Sequence, residues 1–212
     1  CSKVKSPLLP RMVIPEKKPY ISPEEYLRLE RAAEYKSEYY AGEIFAMAGG
    51  KLPHSLIAMN AGAELRTHLR GKGCVPYDSN LRILIPATGL YTYPDVSVIC
   101  GPPEFAPDTD DTIVNPTLLV EVLSDSTEAY DRGKKFEHYR SIPSFREYVL
   151  ISQAAASVEV FSEQTSGNWM LTHVKGIHAS ARLQSLDIEL SLAEIYYEVQ
   201  FPEQPPLKTL AS

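Results

Sequence analysis

The chain predicts an α/β fold of the α+β kind, a mixed central sheet flanked by a few helices. The first observation is the order of elements, which reads helix, hairpin, helix, strands, helix, strands. The second is Leu118–Leu123, a continuous apolar run broken by one acid, the look of a central strand buried on both faces. The third is a pair of helix starts, Ser22-Pro23-Glu24-Glu25 and Ser191-Leu192-Ala193-Glu194, each with a serine cap and a glutamate three residues on. The 212 residues suit one large domain over 20–199, with an extended arm over 1–19 and a loosely ordered Pro-rich tail over 200–212.

The first helix should run from the Ser22 cap, with Pro in its first turn, to about Ala33. Lys36–Tyr40 and Glu43–Met47, joined by Ala41-Gly42, read as a hairpin. From His54 to Arg70 the pattern is helical, with Leu56, Met59, Ala63 and Leu69 on one face, Ile57 beside them and Gly71 as the stop. Strands are expected near Leu81–Ile85 and Tyr93–Cys100, then a loop over 101–116. After Leu118–Leu123 comes a helix carrying Tyr130, Phe136 and Tyr139 inward, which Pro143 ends. Arg146–Ser152 is a strand, Val158–Ser162 and Trp169–Val174 a hairpin, Leu183–Leu190 a last strand, and Ser191–Val199 a short helix.

Composition narrows the function classes. No run approaches the ~18 apolar residues of a membrane span, and Cys1–Lys18 has no apolar stretch of the signal-peptide type. The cysteines Cys1, Cys74 and Cys100 are sparse and odd in number, so reduced thiols and a cytoplasmic setting are expected. A net charge of −6 argues against a large nucleic-acid footprint, although charge segregated on one face would still permit a nuclease. Basic residues cluster in Arg66–Lys72 and Arg132–Arg140, for which a solvated helix face is the plainer reading.

Two carboxylates stand where apolar residues want burial: Asp95 in Tyr93-Pro94-Asp95-Val96-Ser97-Val98 and Glu121 in Leu118–Ser124. Burying an unpaired carboxylate costs several kcal/mol, roughly, so each needs a partner. Strand alternation puts Leu119, Glu121 and Leu123 on one face and Val120 and Val122 on the other. A divalent cation between the acids is one account, because hard oxygen ligands suit Mg²⁺. For Asp95 the alternative is an edge position in water. Lys135 is either the partner of Asp131 in an exposed i,i+4 pair or a positive group beside the metal. Two acids and a lysine around a metal are the means of hydrolysing a phosphodiester.

The hairpin with acids, the histidine at a helix start, Pro94-Asp95-Val96-Ser97-Val98, Glu121-Val122-Leu123-Ser124, Asp131-x-x-x-Lys135-x-x-x-Tyr139 and Glu147-Tyr148-Val149 together resemble the Uma-two family of endonucleases. The resemblance covers about residues 22–198. It implies a restriction-endonuclease-like core of the PD-(D/E)XK kind, in which Pro94-Asp95 matches the PD and Glu121 the following acid. Leu123 stands where that pattern puts its lysine, and Lys135, on the next helix, matches the relocated one. The resemblance implies catalytic roles for Asp95, Glu121 and Lys135. It gives Asp95, Glu121 and the backbone carbonyl of Val122 to Mg²⁺ (or Mn²⁺). Glu38, Glu43, His54 and Lys134 are accessory candidates. His54 serves equally as a satisfied helix-start histidine, and Ala41-Gly42 replaces the Asp-Gly of many members. The implied substrate is nucleic acid, DNA first, with a homodimer as the default assembly. The alternative is a catalytically weak nucleic-acid-binding or dimeric accessory protein, since fold does not establish activity.

Overall fold

The computed structural model describes residues 19–47 and 49–201. The arm and tail expected at the two ends lie almost wholly outside the described residues. The chain forms α1 (Pro23–Ala32), β1 (Ser37–Tyr40), β2 (Glu43–Ala46), α2 (Leu52–Leu69), β3 (Cys74–Asp78), β4 (Arg82–Ile85), β5 (Leu90–Thr92), β6 (Val96–Cys100), β7 (Thr112–Ile113) and β8 (Leu118–Val122). A short α3 (Glu128–Tyr130) passes through a π-helical turn (Asp131–Lys135) into α4 (Phe136–Tyr139). Then follow β9 (Glu147–Ile151), β10 (Ser157–Glu163), β11 (Trp169–Lys175), β12 (Ser180–Leu183), β13 (Ile188–Ser191) and α5 (Leu192–Ile195).

The larger sheet has the order β11-β10-β9-β8-β6-β3, antiparallel throughout except for the parallel β8–β9 pair. A second mixed sheet runs β2-β1-β5-β4-β7, and β12–β13 form a separate hairpin. β8 is central and wholly buried. Val120 and Val122 pack with Ile57, Ala61, Leu65 and Leu69 of α2, whereas Leu119 and Leu123 pack with Tyr139, Ile142, Phe145 and Tyr148. The alternation expected of Leu118–Leu123 is therefore the one observed, and Glu121 faces the second, aromatic-rich cluster.

The Ser22 cap is present, its Oγ accepting from Glu25 N at 3.2 Å. The Ala41-Gly42 hairpin turn has both residues at positive φ, +51° and +88°. A Cβ on Gly42 would meet the Tyr20 ring at 2.1 Å, so that glycine is required by contact as well as by φ. Ala41 has no such reason. Ala41→Gly should raise unfolding stability by about 1 kcal/mol in a urea titration, because an L side chain is strained in this region.

Four expectations are corrected. The buried face of α2 is Ile57, Ala61, Leu65 and Leu69, an i,i+4 ladder against the large sheet, while Met59 is exposed. The helix is apolar on several faces, so periodicity alone favoured the wrong stripe. β3, absent from the expected strands, carries Pro76 inside it; as the edge strand of its sheet it tolerates a proline. The strand expected over 183–190 is a hairpin, broken by a turn in which Asp187 takes φ +53°. Finally, Cys74 and Cys100 are register partners across β3–β6 and are joined by a disulfide rather than reduced. The bond removes the ground on which cysteine usage pointed to the cytoplasm. No helix among the described residues is long and apolar enough to cross a membrane.

Candidate active site

Four segments of chain converge on Glu121. β8 holds it at the sheet centre, 5% exposed. Asp95 lies one residue before β6, whose register pairs Val96 with Val120, so Asp95 stands opposite Glu121. The π-helical turn and α4 bring Asp131, Lys135 and Tyr139 round on one side, four residues apart. β1 supplies Glu38 from the second sheet. His54, in the first turn of α2, approaches Asp95.

Lys135 is the hub. It is 6% exposed, and its Nζ lies 3.0 Å from Glu121 Oε1, 3.3 Å from Asp131 Oδ1 and 3.4 Å from Glu38 Oε1. The exposed Asp131–Lys135 pair considered from sequence is thus replaced by a buried one. Tyr139 Oη donates to Glu121 Oε1 at 2.8 Å, and Thr92 Oγ1 donates to Glu38. Asp95 Oδ2 accepts from Val122 N at 2.7 Å and lies 3.3 Å from His54 Nε2.

Charge follows from this geometry. Burial disfavours a charged Lys135, but Glu121, Glu38 and Asp131 reverse that and hold its pKa well above the ordinary lysine value. Burial pushes the Glu121 carboxyl up to about 8, with Asp95 and Asp131 adding to the rise against the pull of Lys135. One ammonium does not balance Glu38, Asp95, Glu121 and Asp131. The hydrogen bond to Asp95 raises the pKa of His54.

The remaining sequence-level candidates are less central. Glu43 stands exposed at the turn end of β2, register partner of Tyr40. Lys134 is exposed, one residue off the inward stripe. Sequence reasoning missed Asp131 and Tyr139 as site residues; the signal was their spacing of four from Lys135 on either side.

No group of three or more His, Cys, Asp or Glu among the described residues is arranged to hold a metal. The donor chemistry nonetheless suits a hard cation. Asp95 accepts its hydrogen bond through Oδ2 and Glu121 through Oε1, so each acid is fixed in place by one oxygen. Asp131 Oδ1 is buried without a hydrogen bond, its contact with Lys135 being an ion pair only. Carboxylate oxygens with a neighbouring backbone carbonyl are the ligands that Mg²⁺ takes.

Comparison with known proteins identifies relatives of this chain. A family model, Uma2, described as "Putative restriction endonuclease", matches residues 23–195. The chain is 41% identical to the uncharacterized protein slr1290 of Synechocystis sp. over 175 residues, 82% of this chain and 90% of that one. It is 34% identical to sll1609 of the same organism over 164 residues, 77% of this chain and 93% of that one. Among solved structures, a "putative nuclease belonging to DUF820" from Anabaena variabilis superposes with a TM-score of 0.65 at 19% identity, covering 82% of this chain and 96% of that one. That likeness shows a shared fold.

Proposed function

The chain belongs to the Uma2 family, and from that premise we propose that it is a metal-dependent endonuclease that hydrolyses phosphodiester bonds in DNA. One observation carries the reading: the buried Lys135 ammonium lies 3.0 Å from Glu121, although no lysine stands two residues after that acid. A lysine that reaches the acid from another element can do the same work as one beside it on the strand.

Asp95, Glu121 and the Val122 carbonyl would hold Mg²⁺ or Mn²⁺. The bound ion would polarise the phosphate and lower the pKa of a water. Lys135 offsets the carboxylate charge and orients the attacking water through its ammonium hydrogens. Val122 N–H and His54 fix the rotamer of Asp95, and Tyr139 fixes that of Glu121. Glu38 and Asp131 hold Lys135 in place and keep it protonated.

Purified protein incubated with plasmid DNA should cut it with Mg²⁺ or Mn²⁺ and not with EDTA. Absence of cleavage of DNA and of RNA with either ion would sink the proposal. A second reading, a nucleic-acid-binding or dimeric accessory protein with a nuclease fold, draws on the self-contained ion cluster. Glu121 Oε1 is already engaged by both Lys135 and Tyr139.

A further inference from the structure

The basic cluster Arg66–Lys72 has no part in the site described above, yet it borders a groove beside that site. That groove, of about 820 Å³, runs between α2 and β3 and has Asp95 and His54 in its wall. An adjoining groove of about 420 Å³ shares Arg66 and Pro76 with it and continues past Arg70. The two form one track from the candidate site to the C-terminal end of α2.

Two features of this track are unusual within the molecule. Arg66 on α2 and Arg70, which caps its C-terminal end, stand four residues apart, both exposed. Every other described arginine has a carboxylate or an aromatic ring against it; Arg66 and Arg70 have neither among the described residues. The track also bears two open phenol rings, Tyr35 at 70% and Tyr77 at 38% exposure, neither stacked on another ring. Of the groove's acids, Asp78 is turned onto Asn80.

Unpaired guanidinium groups suit phosphates, because each one bound releases condensed counterions. Exposed aromatic rings suit bases whose faces are free, and a duplex hides those faces in its own stack. We propose that the groove takes an unpaired polynucleotide strand, its phosphates on Arg66 and Arg70 and its bases on Tyr35 and Tyr77, and leads it to Asp95. The inference rests on the nuclease reading for its direction towards Asp95. Its test is a binding measurement that needs no cleavage.

Fluorescence anisotropy in EDTA would compare a labelled short oligo(dT) with a hairpin duplex of equal length. The single strand should bind about tenfold or more tightly. Arg66→Ala/Arg70→Ala should weaken binding and flatten its salt dependence by about 0.7 per lost phosphate contact. Tyr35→Ala/Tyr77→Ala should weaken it about tenfold with the salt slope unchanged. All four side chains are on the surface, and circular dichroism would check that each variant is folded. Duplex binding equal to or tighter than single-strand binding overturns the proposal, as does unaltered binding by both double variants. So does a lack of oligonucleotide binding combined with a change of oligomeric state in the tyrosine variant by light scattering, which would make the groove a self-association surface. Cleavage that persists without groove binding sinks this inference alone; groove binding without cleavage sinks the nuclease reading alone.

Discussion

Lys135→Met is expected to lower unfolding stability by about 3–5 kcal/mol at neutral pH, the scale on which removing one partner of a buried ion pair acts. Methionine keeps most of the stem volume and removes the charge. Glu38, Glu121 and Asp131 would then share a buried space with no cation. The sign of the pH dependence follows from the shifts. Lys135 has its folded pKa raised, so its contribution is complete below the unfolded lysine value and is lost only at high pH. Glu121, with a folded value of about 8, stabilises the fold below the unfolded carboxyl pKa of 4.5, and that contribution is lost as pH rises to about 8. In the variant Glu121 loses the pull of Lys135, so its pKa climbs further. The gap from wild type should therefore widen as pH rises through about 8 and narrow in acid, where Glu121 holds its proton in both proteins. Urea titrations in EDTA at two pH values measure it. A loss below ~1 kcal/mol at both would place Lys135 among weak surface pairs and end its role as hub.

Much of this centre could be read in the chain because it violates local rules. Glu121 is legible since a lone acid on a strand face with Leu119 and Leu123 demands a partner. Asp95 is legible since Pro94-Asp95 does not belong in a strand interior. Lys135 depended on the family pattern, and its burial on the π-helical turn, which carries Asp131 and Lys135 inward together. Other features left no local trace. Nothing in Cys74-Val75-Pro76 announces an edge strand, and without β3 neither the disulfide nor the groove wall could be foreseen. Glu38 reaches the site from a different sheet, a contact that only tertiary packing creates. Met59 and Ile57 are equally apolar, and only the position of the large sheet decides which is buried. Pairing partners are a long-range property, whereas a misplaced charge is a short-range one.

Glu121→Gln should separate function from stability in the opposite sense to Lys135→Met. The amide keeps the shape of the side chain and an oxygen to accept from Tyr139, so the aromatic cluster around it has no cavity to fill. It removes a carboxylate that burial disfavours. The metal-free variant should accordingly be at least as stable as wild type at pH 8, close to the value to which burial pushes the native carboxyl. Metal-dependent DNA cleavage should meanwhile fall by about 10²–10³-fold or more, the scale on which losing a preorganised charge at a reacting phosphate acts. Plasmid nicking with Mg²⁺ and a urea titration in EDTA, run on the same preparation, give both readings. A residue kept only to pair with Lys135 would show the reverse pattern, a stability loss with cleavage intact, and that result would remove Glu121 from the metal-binding set. Under the nuclease proposal, the cation that would offset the buried Glu121 charge beside Lys135 is the metal that Asp95 and Glu121 would hold.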